Sequence, residues 1–263
     1  HMWEFSINYN PMTRAEFDPV ASFLEQRRGK LYPFYVVLPQ HAAPQSTLFV
    51  NHLNTNTIRA GWSYATTAAS GSLGTATLNF ATQTVAPFKL GDSITVSGVT
   101  PTGFNGTFIV TGATTNSVSY TSATAVGPQI VAGKVVLNTP AGAPFVLMSS
   151  YTTSSGAVST LSGAPTPGDF FTITDSNDAL HKKVYKVVRV ESNANYLTGT
   201  NQPSTTQVRV YTVPPITRTT TADSTINFLN PRFRVIQKSD TVEYDLDTDN
   251  LYQFSLNLEE ILP

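Results

Sequence analysis

The stretch VEYDLDTDNLYQFSLNL, residues 242–258, decides the fold class. Val242, Tyr244 and Leu246 alternate with polar neighbours, and Tyr252, Phe254, Leu256 and Leu258 do the same. Asp247-Thr248-Asp249-Asn250 lies between them as a turn. Alternation with a period of two places one set of side chains on one face. The segment therefore predicts a β-hairpin with a single apolar face. The opening of the chain carries the same stripe: Trp3, Phe5, Ile7 and Tyr9 fall opposite Glu4, Ser6 and Asn8. Asn10-Pro11 stops that strand, because proline cannot donate to a ladder. The two ribbons are expected to close one sheet, leaving the middle of the chain as insertions.

Working inward, Thr13 and Glu16 make a Thr-x-x-Glu capping box, and Phe17, Val20 and Leu24 recur at helical spacing, with Phe23 beside them. Gly29 supplies the stop, and Arg27, Arg28 and Lys30 gather where cations suit the helix dipole. Pro19 leaves two starts open, one at Thr13 and one a turn later with Asp18 as the cap. A short strand is expected from Phe34 to Leu38, and brief pairing from Thr47 to Val50. Between Gly71 and Leu137 the only charged residues are Lys89, Asp92 and Lys134. Strand-like runs there, at Thr75–Phe80, Ser93–Val96, Thr107–Val110 and Ser117–Tyr120, are separated by turn clusters such as Gly103-Phe104-Asn105-Gly106. Their spacing suggests a small sandwich of the immunoglobulin type, although no Cys-Trp-Cys signature accompanies it. A third region, from about Pro140, offers strands at Phe170–Thr174, Lys183–Val190 and Val208–Val213 and ends at Pro214-Pro215. The expected organisation is a terminal unit (1–60 with 216–263), a second β-rich region (61–70 with 138–215) and an insert (71–137).

Composition narrows the function classes. Hydrophobic residues are 40% of the chain, enough for a packed core. Charged residues are 13%, about half the ordinary share. A net charge of -1 and no basic stripe argue against a nucleic-acid partner. Cysteine is absent, which removes disulfides, thiolate metal sites and cysteine nucleophiles. No apolar run is long enough for a membrane span, and no secretory leader is expected. His1-Met2 reads either as a cloning remnant or as a point inside a longer gene product.

The chemistry-bearing motifs mostly fail. Asp245, Asp247 and Asp249 resemble the start of a calcium loop, but Asn250 stands at the glycine position and Leu256 at that of the closing carboxylate. The segment reads as a solvated turn. His41, His52 and His181 are scattered without metal-ligand spacing and read as packing or surface residues. Glu259 and Glu260, adjacent on a strand, point to opposite faces and make no catalytic dyad. Phe88, Phe104, Phe108 and Tyr120 read as the core of the insert in preference to a sugar-binding groove. No catalytic residue, cofactor or metal ligand is expected.

Three blocks resemble one family. Trp3-Glu4-Phe5 with residues 11–17 (PMTRAEF) and 23–29 (FLEQRRG), followed by Pro33-Phe34-Tyr35, is similar to the start of minor tail, or distal-tail-type, proteins of tailed bacteriophages. Gly168-Asp169-Phe170-Phe171 with residues 183–187 (KVYKV) and Pro214-Pro215 resembles a second block. Phe233-Arg234-Val235 through residues 239–244 (SDTVEY) to Leu258-Glu259-Glu260-Ile261 resembles the closing hairpin. The resemblance covers both ends well and the middle in patches. It implies a mainly β, tail-tube-like sandwich or barrel with one flanking α-helix and inserted small β-domains. It further implies a homo-oligomeric ring, six copies in the family, at the tail tip of a virion assembled in the bacterial cytoplasm. The tail tube and the hub or baseplate would be the partners, and the insert would face outward, in reach of host surface glycans. The residues expected at subunit contacts are Arg27, Arg28, Glu243, Tyr244, Asp245, Tyr252 and Gln253. Two other readings stay open: a carbohydrate-binding or host-adhesion module, and a polysaccharide hydrolase with a catalytic pair distant in sequence.

Overall fold

A computed structural model describes residues 2–72, 74–176, 178–197, 201–221, 224–240 and 243–262. The chain is mainly β, as its striping requires, and its strands sort into three hydrogen-bonded units.

Strand β1 (Glu4–Asn8) keeps Phe5 and Ile7 half-buried and exposes Glu4, Ser6 and Asn8. Helix α1 (Arg14–Gln26) begins at the Thr13 cap, where the Glu16 carboxylate accepts from the Thr13 backbone N–H at 2.9 Å. Pro19 therefore lies inside the helix instead of opening it. Strand β2 (Phe34–Val36) follows, and then α2 (Thr47–Leu53). Brief strand pairing was expected over 47–50. The Ser46 hydroxyl instead accepts from the Phe49 N–H at 3.3 Å, and helical spacing buries Phe49 and His52 together. Strands β3 (Asn56–Ala60), β4 (Trp62–Ser72), β5 (Thr75–Phe80), β6 (Ser93–Ser97), β7 (Gly106–Ala113), β8 (Ser117–Tyr120), β9 (Gly127–Pro128) and β10 (Lys134–Leu137) come next. After them run β11 (Phe145–Thr152), β12 (Phe170–Thr174), β13 (Val184–Glu191), β14 (Gln207–Val213), β15 (Thr225–Asn227), β16 (Phe233–Gln237), β17 (Tyr244–Leu246) and β18 (Tyr252–Glu260).

The two ends of the chain do form one sheet. β1 runs antiparallel to β18 with Glu4 opposite Glu259 and Asn8 opposite Ser255, and β18 continues to β16 and then β2. β17 pairs with the far end of β18, Tyr244 opposite Phe254. Val242, part of the expected hairpin stripe, lies outside the described residues. The inner face of this sheet carries Phe233, Val235, Phe254, Leu256 and Leu258, and α1 lays Phe17 and Leu24 on it.

The second unit is a closed barrel in the order β11-β14-β13-β12-β15-β3, filled by Ile58, Val146, Met148, Phe171, Tyr185, Val187 and Val210, among others. By hydrogen bonding β3 and β15 belong here, although the sequence grouped residues 1–60 with 216–263. Their alternation says which side is buried but not against which unit. The third unit contains β4 to β10. Its sheet starts at Trp62, before the expected boundary at 71, and β10 pairs with both β6 and β4, so the hydrogen-bonded circuit closes. Phe88, Phe104 and Tyr120 are fully buried in its core, and the Tyr120 hydroxyl donates to the Phe104 carbonyl at 2.7 Å.

Two joints hold the units together. At the first, Phe170 and Val184 of the barrel complete the core under the terminal sheet. The Trp3 indole N–H donates to the Val184 carbonyl at 2.9 Å, and Lys183 forms an ion pair with Glu260, both side chains only 1% exposed. At the second, Gly61 takes φ +86, where a Cβ would lie 2.5 Å from Val136 Cγ1. This lets Trp62 turn into the barrel wall, where it is fully buried and donates to the Val208 carbonyl at 3.3 Å. Arg209 lies 4.8 Å over its ring and pairs with the buried Glu191 at 2.7 Å.

Candidate interface site

The hairpin β17–β18 brings five of the seven expected contact residues together and divides them by role. Tyr252 stacks on Phe17 with ring centroids 4.5 Å apart and serves as the seat for α1. Tyr244 lies 4.9 Å from Phe17 and 5.4 Å from Tyr252, yet half its surface stays exposed. Glu243, Asp245 and Gln253 are exposed. Alternation explains the split: Phe254, Leu256 and Leu258 point inward, so Gln253 and Ser255 must point outward.

On that outward side runs a groove of about 480 Å³. Asn8, Asn10 and Pro11 form one wall, Glu243, Tyr244 and Asp245 the other, and Gln253 and Ser255 contribute to its floor. The wall next to β1 is fixed by backbone bonds from the Tyr9 and Met12 N–H groups to the Phe254 and Tyr252 carbonyls, at 3.0 and 2.9 Å. At the hairpin tip the Asp247 carboxylate accepts from the Asp249 and Leu251 N–H groups, both at 2.9 Å. The expected turn is present, and that carboxylate closes it.

Arg27 and Arg28 stand apart, at the other end of α1. Arg27 caps the helix, lies 4.7 Å over the exposed Phe23 ring, and has a buried Nε with no hydrogen-bond partner among the described residues. Arg28 (φ +50) and Gly29 (φ +62) wind the chain left-handed. A Cβ at residue 29 would fall 2.1 Å from Asp240 Oδ1, so only glycine fits beneath Asp240, whose carboxylate accepts from the Lys30 N–H at 3.2 Å. The Gln237 amide donates to the Leu24 carbonyl at 2.8 Å and pins the same helix end.

The histidines, read from sequence as packing or surface residues, pack inside, and what the sequence did not show is their polar partners. His181 is 1% exposed; its Nε2 lies 2.8 Å from the Tyr185 hydroxyl, which contacts the Thr217 hydroxyl at 2.7 Å. Burial brings its pKa down to about 4, against the opposing pull of Asp178 and Asp175, with a smaller push from Arg218 in the same direction as burial. His52, also buried, contacts Ser150 Oγ at 2.6 Å. His41 packs 4.7 Å from Phe170. A signal for one buried polar group was present: Glu260 continues the register of Phe254, Leu256 and Leu258 and is buried with them.

Compared with protein-family models and with curated proteins, the chain matches none.

Proposed function

We propose that the chain is a structural, non-enzymatic component of a phage tail tip or baseplate, assembling into a ring that joins the tail tube to the hub or fibres. The observation that carries this reading is the knitting of the first and last strands into one sheet. Such a sheet makes the chain ends a self-contained platform and turns the barrel and the β4–β10 unit into additions on it. Within the described residues β1 and β2 each pair on one side only, so the platform keeps two open edges for neighbours. Six copies follow from the family resemblance of the terminal segments. The partners would be the tail tube above and the hub or baseplate below, in a virion assembled in the bacterial cytoplasm.

A second reading, attachment to host glycans, has one feature in its favour. A cleft of about 140 Å³ between the β4–β10 unit and the barrel is lined by Tyr64, Gln83, Asn193, Asn201 and Gln202. Amide and phenol side chains of this kind suit sugar hydroxyls.

Light scattering and negative-stain images of the purified protein test the first reading. Closed rings are expected. A stable monomer that is retained on a glycan array would favour adhesion. Polysaccharide turnover abolished by one carboxylate substitution would favour an enzyme.

A further inference from the structure

Resting on the ring reading, we infer that neighbouring copies meet head to tail, the basic turn after α1 of one copy seated in the hairpin groove of the next. The charges of this chain are segregated by position. No Asp or Glu occurs from residue 26 to residue 91, a span that contains Arg27, Arg28 and Lys30. No Lys, Arg or His occurs from residue 239 to the last residue, where every charge is acidic. The poles meet at one point within the chain, where Asp240 accepts from the Lys30 N–H, while Glu243 and Asp245 line the hairpin groove. α1 lies on the inner face, among Phe254, Leu256 and Leu258, whereas the groove opens on the outer face over Gln253 and Ser255.

Each pole offers exposed groups that a neighbouring copy can meet. The basic turn exposes Arg28 and Lys30 beside Phe23, Leu31 and Tyr32, which are 39%, 60% and 47% exposed. Tyrosine, phenylalanine and arginine are the residues enriched where protein surfaces meet. The groove answers with the exposed Glu243 and Asp245 carboxylates. Among the described residues neither carboxylate takes part in an ion pair, and neither does Arg28 or Lys30. The turn is also held rigid by Asp240, so little conformational freedom is lost when it docks. In a ring each copy offers its turn to one neighbour and its groove to the other, a heterologous contact that propagates until the ring closes.

Charge reversal tests this. Arg28→Glu with Lys30→Glu, and separately Glu243→Lys with Asp245→Lys, should each raise the concentration needed for assembly by about tenfold or more. An equimolar mixture of the two variants should assemble again, because every alternating contact then joins opposite charges. Carrying all four substitutions in one chain should do the same. Circular dichroism and the unfolding midpoint establish that each variant is folded, and the milder pair Arg28→Gln with Lys30→Gln should weaken assembly in the same direction. Rings that form unchanged in the reversed variants overturn the pairing and leave the ring reading standing. A wild-type chain that stays monomeric at every concentration tested overturns both.

Discussion

Glu260→Gln removes one charge from the joint between terminal sheet and barrel and strands its partner. In the native joint Lys183 and Glu260 are each 1% exposed, and the Glu260 carboxylate also accepts from the Trp3 N–H at 3.1 Å and the Val184 N–H at 3.4 Å. Burial pulls the Lys183 ammonium below the ordinary lysine range, and Glu260 opposes that pull. Without the carboxylate the desolvation goes uncompensated, a situation that typically costs about 3–5 kcal/mol. Lys183→Met should cost a similar amount, because it leaves the carboxylate buried with only two N–H donors. The double variant Lys183→Met with Glu260→Leu should be more stable than either single one, since an apolar pair of similar volume carries no desolvation cost. The Glu260→Gln variant should also regain stability as pH rises toward about 10.4, where the unfolded chain loses its lysine proton too. The assay uses the two tryptophans, which sit one at each joint: in a Trp62→Phe background, Trp3 fluorescence during urea unfolding reports this joint alone. Single substitutions within about 1 kcal/mol of wild type, or a double variant equal to the sum of the singles, would refute the reasoning.

Other consequences follow from the second joint and the buried imidazole. Trp62→Ala should cost about 3–5 kcal/mol and should make the connections near residues 61 and 138 the first sites of limited proteolysis, mapped by mass spectrometry. Gly61→Ala forces a side chain into left-handed backbone and against Val136, so its thermal midpoint should fall, while Gly74→Ala, with open space around residue 74, should be milder. His181 has a folded-state pKa of about 4 against 6.5 unfolded, so its contribution is complete above pH 6.5 and lost as pH falls toward 4. A loss on the order of 3 kcal/mol corresponds to that interval. The gap in unfolding free energy between wild type and His181→Gln should therefore narrow over the same pH range, and a constant gap would show that His181 does not titrate with unfolding.

Where one face of a strand is buried and the other wet, the sequence was readable. β1 and β18 announced themselves because Phe5, Ile7, Leu256 and Leu258 alternate with Ser6, Asn8, Ser255 and Asn257. β11 did not, since both its faces are covered: residues 146–151 are buried without interruption, and that pattern carries no period of two. α2 was misread for the opposite reason, its seven residues being too few to show helical periodicity, so that the Ser46 cap became visible only with the geometry. Strand spacing in residues 71–137 located β5 to β8 but not β9 or β10 and does not specify partners; the closure of β10 onto β4 places Val135 in the core of that unit and Val136 against Gly61. The expected contact residues Glu243, Tyr244, Asp245 and Gln253 do share one groove. Tyr252 falls by alternation on the inward face with Phe254, and it is half-covered by Phe17, a neighbour that hairpin sequence alone does not reveal.

The small share of charged residues gains a physical sense once those that are paired are located. The Lys183–Glu260 pair spans the joint between barrel and terminal sheet, beneath Trp3, whereas Arg209, paired within the barrel to Glu191, backs Trp62 at the other joint. A buried pair contributes little net stability compared with an apolar contact, but it strongly disfavours any arrangement that leaves one member alone. Three β-rich units with apolar edges have many ways to pack against one another. A carboxylate that must find one ammonium within a dry joint rejects most of them. The outer face of the terminal sheet is polar but sparsely charged, with Ser6, Asn8, Gln253, Ser255 and Asn257 set among Glu4, Asp245 and Arg234. Such a face hydrates well and leaves orientation to its few charges. On the ring reading proposed above, sparse charge leaves the angle between copies to the few positions that carry it, and a surface salted evenly with lysine and glutamate would blur it.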